Sequence, residues 1–215
     1  MYQALLFDLD GVLLNTEYMA YTIWRDFLKD NQNYDLELSV YAKACGGPPD
    51  TFDKVLKELI PGDTKALNEY WVAQVLERTA NAQIPVMDGF QELKAYLQTF
   101  PGKKGMVTSN GGLFLKGYMG LFRFDEMFDD VVYGMMVQKR KPAPDIYLLA
   151  CERLGVKPEN CLAVEDSLWG LMAAQSAGVD VLHMEGIPEI PLEIKEKCVG
   201  SVKNLHDVIR FLQEK

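Results

Sequence analysis

The sequence predicts an α/β fold, a parallel sheet covered by helices on both faces, with an all-helical unit inserted after the first strand. Three observations carry this. Short apolar runs alternate with amphipathic stretches over most of the chain, the first run ends on two carboxylates and a glycine, and residues 16–83 break the alternation by reading as helix throughout. Strands alternating with helices imply parallel pairing with both sheet faces buried.

Taken in order, Ala4-Leu5-Leu6-Phe7 is a continuous apolar run that meets Asp8-Leu9-Asp10-Gly11, as a buried parallel strand entering a loop does. The insertion then offers helices at 16–29, 37–44, 51–59 and 64–81, separated by Gly46-Gly47-Pro48-Pro49 and Pro61-Gly62-Asp63. Near Ile84-Pro85 the alternation resumes, which divides the chain into a core (1–15 and 84–215) and a helical cap (16–83), joined by two short connections able to act as hinges. The core continues with strands at 104–108, 130–133, 161–164 and 179–182. Helices at 89–100, 113–122, 145–154 and 168–177 lie between them, with apolar residues three and four apart. A last helix closes the chain.

Bulk properties narrow the function. A chain of 215 residues accommodates one core with an insertion, and 48% apolar with 25% charged residues is ordinary for a globular protein. The formal charge of -9 opposes binding to nucleic acid or to anionic lipid, which are held by neutralising phosphates with Lys and Arg. A small anionic substrate responds instead to the field inside a cleft. Cys45, Cys151, Cys161 and Cys198 form no Cys-x-x-Cys pair, so neither zinc nor a redox dithiol is indicated and the thiols are expected reduced. No apolar run approaches the roughly 20 residues of a membrane span, and the N-terminus does not read as a signal peptide, so a cytoplasmic location is expected. His183 and His206 lie far from the carboxylates, and Trp24 and Trp71 read as packing residues of the cap. The oligomeric state is not legible.

Candidate chemistry gathers at one edge of the predicted sheet. Ligands of open α/β sheets bind beyond the C-terminal ends of the strands, where Asp8 and Asp10 stand. Two apart in an extended segment, they address the same point, and Gly11 lets the backbone turn beside them. Carboxylates so close repel unless a cation shares the site or one holds a proton. Glu165-Asp166-Ser167 follows a later strand at the same edge; its oxygens suit Mg2+, which takes oxygen ligands and leaves room for a substrate phosphate. Lys141, in Arg140-Lys141-Pro142-Ala143-Pro144, is held in a proline-restricted loop and can offset phosphoryl charge. Thr108-Ser109-Asn110-Gly111 offers hydroxyl and amide donors. Each piece alone also has an ordinary reading: an Asp-rich turn, a helix cap before Leu168, a solvated basic turn, a polar turn.

Together these motifs resemble the haloacid dehalogenase-like superfamily, in particular its small phosphatase and β-phosphoglucomutase branch, from Ala4 to about Leu182. The resemblance implies a Rossmann-like core with a helical cap, Mg2+ as cofactor and a small phosphoester as substrate. It implies that Asp8 is a nucleophile forming an aspartyl-phosphate, and that Asp10 is the acid/base and touches the metal through its carbonyl. Thr108 matches the phosphate-binding hydroxyl, with Ser109 and Asn110 beside it. Lys141 matches the lysine that steadies nucleophile and phosphoryl oxygens. Asp166 matches the metal-binding carboxylate, with Asp8 and Glu165 as further ligands. Gly46 and Gly47 fall where this branch places a cap loop reaching the substrate, although a plain turn fits them too. Asn15 and Arg140 stand where the family often has Asp and Gly. Having Asp10 separates the chain from the dehalogenases, which lack the second aspartate.

The expected reaction is hydrolysis of a phosphomonoester such as a sugar phosphate. The alternatives are a β-phosphoglucomutase-type mutase and a catalytically silent binding protein. In the mutase pattern an arginine follows the cap-loop glycine closely; here Asp50 does, with no cation until Lys54, which favours water as the final acceptor.

Overall fold

The computed structural model of the chain describes residues 1–45, 57 and 64–215. The expected turns at 46–49 and 61–63, and the expected helix at 51–59 apart from Lys57, lie outside the described residues. Six strands are described: β1 (Ala4–Phe7), β2 (Lys103–Thr108), β3 (Asp130–Tyr133), β4 (Cys161–Glu165), β5 (Asp180–Met184) and β6 (Gly200–Val202). They form one sheet in the order β3-β2-β1-β4-β5-β6, every pairing parallel. This is the expected Rossmann-like α/β core.

Period-two alternation sorts each strand onto two buried faces. Leu5 and Phe7 of β1 pack with Met106, Leu162 and Val164 against the helices α4 (Phe90–Thr99) and α10 (Leu205–Gln213). Ala4 and Leu6 pack on the opposite face with Val107, Ala163 and Val181, against α7 (Asp145–Leu154) and α8 (Leu168–Ser176). All four residues of β1 are fully buried, and burying a side chain such as Leu6 contributes about 1.5–3 kcal/mol. Caps fix the helix ends: the Ser167 side chain accepts from Gly170 N–H at the start of α8, and Gly155 ends α7 in the left-handed region.

Three further helices lie outside the sheet: α1 (Thr16–Gln32), α2 (Leu38–Ala44) and α3 (Thr64–Ala80). The two connections to them run side by side, with Asn15 N–H donating to the Pro85 carbonyl (2.9 Å) and Met87 N–H to Leu13 (3.0 Å). α3 meets α5 (Gly112–Phe122) of the core side through Trp71, packed edge-on against Phe114 with ring centroids 5.2 Å apart. There Gly117 leaves room for Thr79, which a Cβ would approach to 2.7 Å.

Some expectations shift. α1 runs three residues past 29, because its stop is the left-handed Asn33 (φ 50°) and not a change in apolar spacing. β5 extends through His183 and Met184. The edge strand β6 was not anticipated, since Gly200-Ser201-Val202 has one apolar residue and no alternation to read. The four-residue helices α6 (Phe124–Met127) and α9 (Leu192–Lys195) are too short to show a period. Among the described residues no helix is long and apolar enough to cross a membrane.

Candidate active site

The strand order reverses at β1, whose neighbours are β2 and β4, and this switch point is where open α/β sheets leave a crevice. Asp8 follows β1 directly, its backbone N–H bonded to the Val164 carbonyl (3.1 Å). Asp166 follows β4. Between them the loop after β1 coils back, with Gly11 N–H donating to Leu14 (2.8 Å). Gly11 sits at φ 77°, and a Cβ there would run into the Asp166 carboxylate. The glycine therefore serves both the turn and the room for that carboxylate.

Lys141 is buried between two acids. Its Nζ donates to Asp8 Oδ1 at 2.6 Å and to Glu165 Oε1, and its side chain is only 5% exposed. The loop reading of a solvated basic turn therefore fails for Lys141, while Arg140 beside it stays exposed at the cavity wall. Glu165 has protein partners on both oxygens: Lys141 and the Tyr147 hydroxyl (2.9 Å) on Oε1, and the Asp166 and Ser167 N–H groups with the Ser167 hydroxyl (3.1, 3.2 and 3.1 Å) on Oε2. The Asp166 carboxylate takes no hydrogen bond among the described residues, although Asp166 is 3% exposed. Asp10 faces the other way, accepting from the Thr16 hydroxyl (2.6 Å) and the Asn110 amide (3.3 Å).

Burial raises Asp8 and Asp166 well above the ordinary carboxylate range, with neighbouring carboxylates adding to the shift and Lys141 opposing it. Lys141 is held an ammonium, because Asp8 and Glu165 outweigh the burial that disfavours its charge. Burial also raises Asp10, against the donors from Thr16 and Asn110.

Asp8, Glu165 and Asp166 each present an oxygen within 4.8 Å of the others. An all-oxygen donor set, mutual repulsion and an undonated buried carboxylate on Asp166 together fit a divalent cation of the Mg2+ kind. The Asp10 carboxylate is not in this cluster.

A cavity of about 610 Å³ opens over these groups. Asp8, Asp10, Ser109, Asn110, Lys141 and Asp166 line its sheet end. Thr108 does not: it is 1% exposed, and its hydroxyl accepts from Asn110 N–H (2.9 Å), which shapes the wall from behind. Gly46 and Gly47 lie outside the described residues. Trp24 and Trp71 pack the helices as expected and also line the cavity. Glu17, Tyr41, Cys45, Asn68 and Trp169 line it as well and were missed. Only Glu17 had a sequence signal, its place on the first turn after the Asp8 loop. His183 is buried in β5 facing Ser201, and His206 lies on α10 by Asp88; neither touches the cavity.

Residues 5–184 match the family model of the haloacid dehalogenase-like hydrolases. The chain belongs to this family. It is 30% identical to the fructose-1-phosphate phosphatase YqaB of Escherichia coli (strain K12) over 191 residues, 85% of this chain and 96% of that protein. It is 28% identical over 184 residues to a phosphorylated carbohydrates phosphatase of Thermotoga maritima, 84% of each chain. Among solved structures, a HAD family hydrolase from Deinococcus radiodurans R1 with bound phosphate and sodium superposes with a TM-score of 0.80 at 23% identity, covering 99% of this chain and 96% of that one. CbbY from Rhodobacter sphaeroides in complex with phosphate gives 0.73 at 23% identity, with 97% and 96% covered. These two likenesses speak for the haloacid dehalogenase-like fold.

Proposed function

We propose that this chain is a magnesium-dependent phosphomonoester hydrolase for a small, sugar-like phosphorylated metabolite, working through an aspartyl-phosphate on Asp8. The observation that carries the reading is the convergence of Asp8, Lys141 and Asp166 at the floor of one cavity, with Asp10 on its wall held by Thr16 and Asn110. Relatives named as phosphatases of phosphorylated sugars point to the substrate class.

In this scheme Asp8 Oδ attacks phosphorus as the bond to the leaving oxygen breaks, and Asp10 gives that oxygen its proton. Water then attacks the aspartyl-phosphate, Asp10 takes its proton, and the Asp8–phosphorus bond breaks to release inorganic phosphate. Lys141 holds Asp8 in line and balances phosphoryl charge, and the donors of Ser109 and Asn110 steady the other oxygens. Asp8, Asp166 and the Asp10 carbonyl would hold Mg2+, with Glu165 set behind them as the anchor of Lys141; bound there, the ion neutralises charge developing on the phosphoryl oxygens. Residues 16–83 act as a cap that excludes water over the core of residues 1–15 and 84–215. The four free cysteines suit a reducing, cytoplasmic setting.

The test is phosphate release from a panel of sugar monophosphates with Mg2+, after exhaustive chelation, and with Ca2+. Activity with Mg2+ alone, and inhibition by Ca2+, are expected; full activity after chelation contradicts the metal site. A parallel assay with β-glucose 1-phosphate and a trace of the 1,6-bisphosphate separates the mutase: rapid glucose 6-phosphate with little free phosphate would overturn the hydrolase reading.

A further inference from the structure

The cavity wall holds one carboxylate that the mechanism does not use. Glu17 lies on the first turn of α1, next to Thr16, whose hydroxyl pins Asp10. Its own side chain points away from Asp10, to Tyr41 of α2 and to Cys45 just after that helix. Glu17 Oε2 accepts from the Cys45 thiol (2.7 Å) and the Tyr41 hydroxyl (3.2 Å). Those residues are 28 and 24 positions away in sequence, so the carboxylate is aimed by tertiary packing. All three line the same cavity as Asp8. Both donors use Oε2, and Oε1 takes no hydrogen bond among the described residues.

The surroundings of this carboxylate are apolar and aromatic. Trp24, Trp71, Val75, Phe114 and Tyr118 line the same cavity, with Trp24 set edge-on to Tyr41 (5.5 Å). An acceptor with an oxygen that takes no donor among the described residues is costly to leave so in such walls, and a ligand hydroxyl can satisfy it. A pocket of flat apolar faces with one oriented acceptor suits a ligand that has C–H faces and hydroxyl groups.

Resting on the phosphatase reading above, we propose that Glu17 is a specificity-determining residue that accepts a hydrogen bond from a hydroxyl of the leaving group, with Tyr41 and Cys45 as its positioning residues. The substrate class is then the monophosphate of a neutral polyhydroxylated compound, whose phosphate sits at Asp8 and whose carbon body lies along the aromatic walls.

The experiment compares kcat/KM for the best of fructose 1-phosphate, glucose 6-phosphate, ribose 5-phosphate and glycerol 3-phosphate with kcat/KM for p-nitrophenyl phosphate, whose leaving group has no hydroxyl to donate. Glu17→Gln keeps an oxygen for Tyr41 and Cys45 but can turn a donor toward the cavity in place of the acceptor. The sugar-to-nitrophenyl ratio should fall at least tenfold in E17Q, mostly through KM. Tyr41→Phe, which leaves the carboxylate intact, should lower the ratio less and in the same direction. Thermal melts of both variants report folding. An unmoved ratio in folded E17Q, or a ratio moved by neither variant, overturns the assignment of Glu17 while leaving the phosphatase reading standing. No turnover of any of the five esters by the wild-type protein overturns both.

Discussion

Asp166 and Glu165 are adjacent in sequence and both buried, yet their surroundings differ. Glu165 has protein partners on both oxygens, whereas Asp166 has donors on neither among the described residues. Asp166→Ala should therefore raise the Mg2+ concentration needed for half-maximal activity more than Glu165→Ala does, while Glu165→Ala should act through Lys141 and lower kcat at saturating Mg2+; the reverse ranking in a Mg2+ titration contradicts the proposed ligand set. Gly11→Ala places a methyl group on the Asp166 carboxylate and a Cβ at φ 77°. The backbone conformation alone costs about 1–2 kcal/mol, and a metal titration should show weakened binding beyond any loss of stability in urea. Asp8, Asp10, Lys141 and Asp166 were legible in the sequence, because each directly follows a strand or sits in a loop marked by Pro or Gly. That Thr108 stands behind the wall was not legible, since a side chain's facing at a strand end depends on the next turn. Glu17 had a signal in its place after the Asp8 loop, but its link to Tyr41 and Cys45 was hidden, being assembled across the packing of α1 against α2.

At the level of elements, the two faces of β1 were readable from its unbroken apolar run, and its packing sets the position of Asp8. Leu6→Ala should cost about 2–5 kcal/mol in a urea melt, the range for emptying a well-packed leucine site. An ion pair ties the edge strand β3 to α7: Arg153 Nε and Nη2 lie 2.5 and 2.9 Å from the Asp130 carboxylate, and the Arg153 hydrogen bond is the main cause that lowers Asp130 below its ordinary value. A carboxylate lowered on folding stabilises above its unfolded pKa of about 4 and loses that contribution as pH falls through the folded value. Because Arg153 is 45% exposed, the effect is small. Asp130→Asn should destabilise by under ~1 kcal/mol at pH 7, and the difference from wild type should shrink progressively as melts are repeated below about pH 4. The edge strand β6 and the short helices escaped the sequence reading for a physical reason: three or four residues are too few to show a period.

For the molecule as a whole, the sequence carried the alternation of strands β1 to β5 with the longer helices, because that alternation is written in the spacing of apolar residues. How α3 packs onto α5, through Trp71 on Phe114 and Thr79 over Gly117, depended on packing between distant segments. An ion that binds only the folded protein stabilises all of it, and a hundredfold excess of Mg2+ over its Kd should add ~2.7 kcal/mol, or about 5–10 °C in Tm for a chain of this size. Calorimetry with and without chelator checks this, and Asp166→Ala should remove most of the shift. The central claim, that Asp8 is the nucleophile of a phosphoryl transfer, is tested most directly by the kcat of Asp8→Asn on the best sugar phosphate at saturating Mg2+, with the fold verified by circular dichroism. The amide keeps the shape but is a poor nucleophile, so turnover should be almost abolished; retention of more than about a tenth of wild-type kcat, a barrier change under ~1.4 kcal/mol, would contradict the account.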